Sequence, residues 1–340
     1  MLKLGLVGCG AIAHTHTANI VNHLKGAQIT QVYDVFSAAA KKIIRDYKLK
    51  AEIAPSIDDL VNSPDVDAIL VCSRNDAHVE PILAAIKAHK PVFSEKPLAT
   101  TLTDCQKIVA AEVKEGQRFV QVGFMRRYDP FYQQLKETID TGKIGQPLMG
   151  YCRHFTAEPA TNYFETPNMI NDAFIHEIDI IHWLFNDDYN SVQVQFARQN
   201  SLNKNENLTD PQIATVKMKH GAIVNTYLTQ NAQYGYDVKC QVIGEKGIAE
   251  LPDMPKLEIH QAGKIYHEID HDWTYRFAEA YQLEMQDFID HAQNNEAPAG
   301  PTAWDGLIAA VTADNAIKSQ SSQQAIKIEL PEQPQLYQSK

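Results

Sequence analysis

Lys96, in the run Glu95-Lys96-Pro97, and the pair Asp172-x-x-x-His176 have the residue types and spacing to move a proton. An imidazole changes charge near neutral pH and is the commonest general base. A carboxylate one helical turn away shares its face, where it can orient the ring and stabilise the protonated form. A lysine ammonium can hold or polarise the oxygen that loses the proton. Together these groups suit deprotonation of a hydroxyl, and beside a hydride acceptor that becomes oxidation of a secondary alcohol. Plainer readings stand beside this one. Most lysines are simply solvated, and an Asp–His pair on a helix is often a surface ion pair of little energy. The Asp-x-x-x-His spacing also suits a metal, but no third ligand is evident, so none is expected. On the same helix Asp179 falls near the face of His176 as a supporting carboxylate, whereas His182 reads as packing or exposed.

The hydride acceptor has its own signature. Gly8-Cys9-Gly10-Ala11-Ile12-Ala13 fits G-x-G-x-x-A. The first glycine allows a tight turn, the second lets the backbone approach a pyrophosphate, and the small third residue lets the helix lie close to the strand. The helix N-terminus then offers free N–H groups to phosphate. A lone glycine-rich turn is a weak signal. This one follows an apolar strand, opens a helix, and is followed by Asp34 at the end of the next strand, which makes it a strong one. A carboxylate at Asp34 can accept from both ribose hydroxyls of NAD and would repel the 2′-phosphate of NADP.

The elements that must position these groups are legible in the hydrophobic pattern. Strands are expected at Leu4–Val7, Ile29–Tyr33, Ala68–Cys72, Pro91–Phe93 and Phe119–Val122, and helices at Ile12–Leu24, Ser37–Tyr47, Asp58–Val61, His78–Ala88 and Thr103–Glu115. Ser37, Ser56 and Thr103 are the candidate N-caps. Strand–helix alternation at this spacing argues a doubly wound parallel sheet, with Glu95-Lys96-Pro97 just past its fourth strand, at the carboxyl end where such sheets bind ligands. After Gly123 the pattern changes. Helices are expected at Pro130–Asp140, Ile170–Phe185, Phe277–Ala292 and Thr302–Ser319. Strands are expected at Val192–Ala197, Ala214–Met218, Ile223–Leu228, Val238–Ile243, Ile248–Leu251, Leu257–His260 and Ile326–Leu330. The expectation is an α/β chain: a nucleotide-binding domain over residues 1–122 and an α+β domain with a large, mainly antiparallel open sheet over 123–340.

Composition narrows the partners. A chain of 340 residues is long for one core. A net charge of −11 argues against nucleic acid, since phosphate would be repelled. No apolar stretch reaches membrane-span length. The short start before Gly8 does not read as a secretion signal. The five cysteines are scattered, with no C-x-x-C, and read as buried thiols in a reducing cytoplasm.

Further motifs give a resemblance. Gly8-x-Gly10-Ala11-Ile12, Glu95-Lys96-Pro97-Leu98-Ala99-Thr100-Thr101, Gln121-Val122-Gly123-Phe124-Met125-Arg126-Arg127-Tyr128-Asp129, His176-Glu177-Ile178-Asp179, Tyr234-Gly235-Tyr236 and Gly300-Pro301-Thr302-Ala303-Trp304-Asp305-Gly306 span nearly the whole chain. With them the sequence resembles the glucose–fructose oxidoreductase/inositol dehydrogenase (Gfo/Idh/MocA) family, and within it the bacterial inositol dehydrogenases. The resemblance implies Lys96, Asp172 and His176 as the catalytic trio. It implies Gly8, Gly10, Ala11, Ile12, Asp34, Ser73, His78, Glu95 and Lys96 around NAD. Lys96, Arg126, His154, Asp172, His176 and Tyr234 or Tyr236 would surround a cyclitol, oxidised at one hydroxyl to a keto-inositol. It further implies a homotetramer built through the open sheet. Two stretches depart from the family pattern, Ser73-Arg74-Asn75-Asp76-Ala77-His78 and Phe155-Thr156-Ala157-Glu158, and they leave myo- and scyllo-inositol both open. A sugar 1-dehydrogenase and a catalytically silent NAD-sensing regulator are the alternatives.

Overall fold

The apolar run Leu2–Val7 forms strand β1 near the middle of a parallel sheet. The structure is a computed structural model and describes residues 1–157, 164–253 and 256–338; Glu158, the last of the departing residues above, lies outside them. The chain continues through helix α1 (Ala11–Asn22), β2 (Ala27–Tyr33), α2 (Ser37–Asp46), β3 (Glu52–Ile53), α3 (Ile57–Asn62), β4 (Ala68–Val71), α4 (Val79–Lys87), β5 (Val92–Glu95), α5 (Leu102–Glu115) and β6 (Val120–Gly123). The strands stand in the order β3-β2-β1-β4-β5-β6, all parallel. Strands β4, β5 and β6 are buried at every position, as expected of strands covered on both faces. The order reverses between β1 and β4, which is the point where such sheets leave a crevice for ligands.

The local chemistry differs from expectation in three places. Ser56 does cap α3, accepting from the Asp59 N–H. Ser37 does not cap α2, whose N-cap is Phe36 without a side-chain bond. Thr101, not Thr103, caps α5 by accepting from Asp104 N–H. Both misplaced caps lie one or two residues from the true one; the α5 run, Thr100-Thr101-Leu102-Thr103, offers several hydroxyls. Glu95 also closes β5 rather than following it.

The chain then runs through α6 (Pro130–Asp140), β7 (Pro147–Phe155), a π-helical stretch Met169–Phe174 leading into α7 (Ile175–Phe185), then β8 (Tyr189–Phe196), β9 (Gln212–Met218), β10 (Ile223–Thr229), β11 (Asp237–Gly244) and β12 (Ile248–Glu250). A hairpin of β13 (Glu258–Gln261) and β14 (Lys264–His267) and the short α8 (Trp273–Arg276) precede α9 (Ala278–Gln293), α10 (Ala303–Ser322) and β15 (Ile326–Lys327). The sheet order is β12-β11-β7-β10-β9-β8-β15, antiparallel except where β7 runs parallel to β10. Strand β7 was not expected from the sequence, yet it sits between β11 and β10. Its residues Pro-Leu-Met-Gly-Tyr-Cys-Arg-His-Phe show no apolar/polar alternation, because apolar and polar groups occur on both faces. Gly150 within it has a packing reason: a Cβ would stand 3.2 Å from the Phe185 ring and from Val224.

By their internal packing the described residues form two compact units, neither of them a single stretch of chain. One comprises Met1–Tyr128, Glu279–Ala310 and Pro331–Lys340; the other comprises Asp129–Ala278 and Val311–Leu330. Helix α9 therefore completes the nucleotide-binding unit, where Met285, Phe288 and Ile289 join Leu4, Leu6 and Phe93 in one core. Each such buried side chain contributes about 1.5–3 kcal/mol. Cys9, Cys72, Cys105, Cys152 and Cys240 are all buried, and none of them is in a disulfide.

The C-terminal residues are fastened to the first unit. Buried Glu112 accepts from the Phe119 and Val120 N–H groups and from the Tyr337 hydroxyl, and the Tyr337 ring stacks on Trp304. Tyr337→Phe keeps the stack and removes one donor from a buried carboxylate. It is expected to cost about 1–3 kcal/mol of unfolding free energy. Urea titration checks this, and an unchanged midpoint would show that the tail bond adds nothing.

Candidate active site

The glycine turn has the shape its motif requires. Gly8 takes φ +89, and a Cβ there would meet the Ser73 backbone at 2.4 Å. Nothing lies within 4 Å of the Cβ position of Gly10, which caps α1, so open space adjoins the helix start. Ala13 is fully buried beneath it. Asp34 Oδ2 accepts from the Cys9 N–H at 2.8 Å, and Oδ1 accepts from the Phe36 N–H at 2.8 Å. The carboxylate is thus fixed at the mouth of the turn. An open approach to free helix N–H groups beside a fixed acid fits a dinucleotide, with pyrophosphate at Gly10 to Ile12 and ribose at Asp34.

Two expected cofactor residues face elsewhere. The His78 ring is buried, with Nδ1 2.8 Å from the Pro97 carbonyl and Nε2 3.1 Å from the Ser73 carbonyl. Burial pushes its imidazole below the ordinary histidine range, with the two carbonyls opposing this. It ties the Ser73 turn to the Lys96-Pro97 segment instead of presenting an edge to a ligand. The Glu95 carboxylate points inward, to His16 Nε2 at 2.7 Å, and its Oε2 accepts from the Lys96 N–H at 3.2 Å. Ser73 itself donates to the Ala77 carbonyl.

Arg126 is fully buried. The residues around it show what the two most distinctive stretches do. Arg127 bonds Asp305 at 2.9 Å, and Tyr128 donates to Asp287 at 2.6 Å. Thr302 caps α10, donating through its N–H and hydroxyl to Asp305 Oδ2 and accepting from the Asp305 N–H. The FMRRYD and GPTAWDG runs are therefore joined in a clamp around a helix start. Burial works against ionisation of Asp305, but Arg127 and Thr302 outweigh it and bring the carboxyl down to about 2. That lies below the ~3.9 of an unfolded aspartate. The stability Asp305 contributes is therefore present above about pH 4 and lost as pH falls toward about 2. Asp305→Asn is expected to remove on the order of 2 kcal/mol at neutral pH and to flatten the acid limb of stability. Superimposable limbs for the two proteins would contradict this.

In the second unit the site residues converge on helix α7 and the inner face of the sheet. Asp172 lies in the π-helical stretch and accepts from Asn168 at 3.4 Å, while His176 is in the first turn of α7. The expected continuous α-helix from Ile170 thus begins as a π-helix, a form frequent at functional sites. His176 is 8% exposed, and Asp179 is buried on the same helix. The His154 ring lies 6.2 Å from that of His176 and 6.1 Å from that of Tyr236, which meets it edge-on. Tyr236 is buried beside it, whereas Tyr234 is 49% exposed and its hydroxyl donates to Asp237. His182 packs on Tyr189 and reaches Asp188.

One residue of this cluster escaped the sequence reading. Glu177 is fully buried and its Oε2 lies 3.1 Å from His154 Nδ1, so a neutral His154 carries its proton on that nitrogen. The signal was an acid directly beside His176 on a helix buried nearly all round.

Comparison with known proteins places this geometry. Residues 2–124 match the GFO_IDH_MocA oxidoreductase model with its NAD-binding Rossmann fold, and residues 136–330 match the family's C-terminal alpha/beta domain. The inositol 2-dehydrogenase of Pseudomonas fluorescens (strain SBW25) is 46% identical over 99% of both chains. The inositol 2-dehydrogenase/D-chiro-inositol 3-dehydrogenase of Halalkalibacterium halodurans is 44% identical over 99% of this chain and 96% of its own. The crystal structure of myo-inositol dehydrogenase from Lactobacillus casei in complex with NAD(H) and myo-inositol superposes with TM-score 0.97 at 40% identity, covering 99% of this chain and 100% of that one. Matched in both halves and along its length, the chain belongs to the Gfo/Idh/MocA oxidoreductase family and carries its NAD-binding Rossmann fold.

Proposed function

We propose that the protein is an NAD-dependent inositol dehydrogenase, oxidising one secondary hydroxyl of myo- or scyllo-inositol to the keto-inositol. The observation that carries this reading is the 40% identity and 0.97 TM-score, over nearly the whole chain, to an enzyme solved with NAD(H) and myo-inositol. The presence of Lys96, Asp172 and His176 agrees with it. When bound, NAD supplies a hydride acceptor. In this reading His176 takes the hydroxyl proton, Asp172 steadies the imidazolium so formed, and Lys96 holds the oxygen from which the proton leaves. Arg126, His154 and Tyr236 hold further hydroxyls, with His154 fixed in one tautomer by Glu177. Tyr236 rather than Tyr234 takes that role, because it is the tyrosine packed against His154.

The test is NADH formation across a panel of myo-, scyllo- and D-chiro-inositol, glucose and galactose. Turnover confined to the cyclitols is expected. Preference for an aldose would make this a sugar 1-dehydrogenase, and NAD binding without turnover on any polyol would make it a regulator.

A homotetramer is part of the same reading. On the outer face of the second sheet Met149 and Ile223 are directly paired and about half exposed, and Tyr151 meets Tyr227 edge-on at 5.1 Å. An open apolar sheet face needs cover. Light scattering on the native protein and on Tyr227→Glu checks it, with the variant expected to dissociate. No helix among the described residues is long and apolar enough to cross a membrane. A cytoplasmic location, where the cell's NAD pool is at hand, belongs to the same reading.

A further inference from the structure

Three buried groups below the Lys96 segment are not explained by the reaction. His16 on α1, Glu95 at the end of β5 and Glu284 on α9 bring their polar atoms within 4.8 Å of one another. All three are almost fully buried. Among the described residues no donor reaches either carboxylate oxygen of Glu284. An ionised carboxylate so placed would be costly, and two close carboxylates in a buried site do not both ionise.

We propose that Glu284 is held as a neutral carboxylic acid, and that with His16 it braces Glu95 as the positioning residue of Lys96. The bonds form a chain. The His16 imidazole bonds Glu95 Oε1, and Glu95 Oε2 accepts the Lys96 main-chain N–H. A proton on Glu284 would let it donate toward Glu95, since the polar atoms of the two lie within 4.8 Å of each other. The helix that opens at the glycine turn is thereby linked to the residue after β5, and α9 supplies the backing. Burial first, and the neighbouring Glu95 second, push the Glu284 carboxyl well above the usual range, in line with this assignment.

The other groups facing the cluster leave it undisturbed. The Cys72 and Cys9 thiols are pushed up by burial, Cys9 to about 12, and stay neutral. The Tyr281 and Phe93 rings meet the His16 ring edge-on at 5.8 and 5.4 Å. Gln121 donates to the Glu284 carbonyl and to Tyr128, not to the carboxyl. A metal on the same three residues is the competing explanation. It is disfavoured by the 2.7 Å His16–Glu95 separation, since the ligands of a tetrahedral ion stand roughly 3.3 Å apart.

The inference rests on a catalytic Lys96, and its test keeps the two claims separate. Glu284→Gln retains a neutral donor of the same shape, and Glu284→Leu removes it. Infrared spectra of the native protein at about pH 8 should show a protonated carboxylic acid carbonyl that is absent in Glu284→Gln, because an ordinary glutamate is ionised there. Glu284→Gln is expected to keep kcat within about threefold of native, and Glu284→Leu to lose roughly tenfold in kcat with the NAD dissociation constant little changed. Absence of the acid band would overturn the proposal. So would native kcat in Glu284→Leu, or one equivalent of metal by elemental analysis that is lost in Glu284→Gln. Should Glu284→Leu fail to fold, the spectrum and Glu284→Gln still decide. Lys96→Met is measured alongside: if it keeps native kcat the catalytic reading fails, whereas its loss with an unaffected Glu284→Leu refutes only the brace.

Discussion

His176→Ala is expected to lower kcat by roughly 10²–10⁴-fold, the usual range for losing a general acid–base group. The ring is well placed for that role. It is 8% exposed and stands at the start of a helix whose other side is buried under isoleucines. His154 and Tyr236 lie beside it, so two of the groups proposed to hold hydroxyls are next to the proposed base. Asp172→Asn keeps the shape of the side chain but removes the charge that stabilises the imidazolium. It is expected to cost less than His176→Ala while lowering kcat rather than NAD affinity. Both variants should bind NAD as the native protein does, because neither residue belongs to the glycine turn. The native kcat/KM should rise with pH through one ionisation that disappears in His176→Ala, since only the unprotonated base works. A near-native kcat with the same pH limb in His176→Ala would move the base elsewhere, with Lys96 the next candidate.

Asp34 is expected to set cofactor choice by roughly 30- to 1000-fold in kcat/KM for NAD over NADP. Like charges about 4 Å apart cost ~1–4 kcal/mol between bulk-water and near-surface screening, and a 2′-phosphate carries more than one charge. The structure changes what the variant should do. Asp34 accepts from the Cys9 and Phe36 N–H groups, so it also braces the glycine turn. Asp34→Ala should therefore lose the preference and weaken NAD use as well, by about tenfold, because two main-chain donors lose their acceptor. Kinetics with both cofactors separate the effects. Equal kcat/KM for NAD and NADP in the native protein would end the assignment.

The first sheet was legible because its strands are continuous apolar runs and its turns carry glycine, a signal set by local backbone needs. Asp34 and Gly8 were readable for the same reason: one φ above zero and one strand-end acid leave marks in the sequence. The clamp joining FMRRYD to GPTAWDG was visible only as a resemblance. Its pairs, Arg127–Asp305 and Tyr128–Asp287, join residues more than 150 positions apart, and no local pattern encodes a partner at that distance. Strand β7 was missed because alternation assumes one apolar face, and both of its faces are mixed.

By itself the sequence determined the nucleotide-binding turn, the acid at the end of the second long strand, and the residue types suited to taking a proton. Those depend on neighbours a few positions apart. The tertiary structure decided how these side chains are packed and paired. It turned Glu95 and His78 inward, buried Tyr236 beside His154 while leaving Tyr234 half exposed, gave His154 a buried acid, and placed α9 in the first unit. Facing and pairing are fixed by packing between distant elements, where the burial of a charge must be matched by a partner. A one-dimensional pattern names the charge but not the partner.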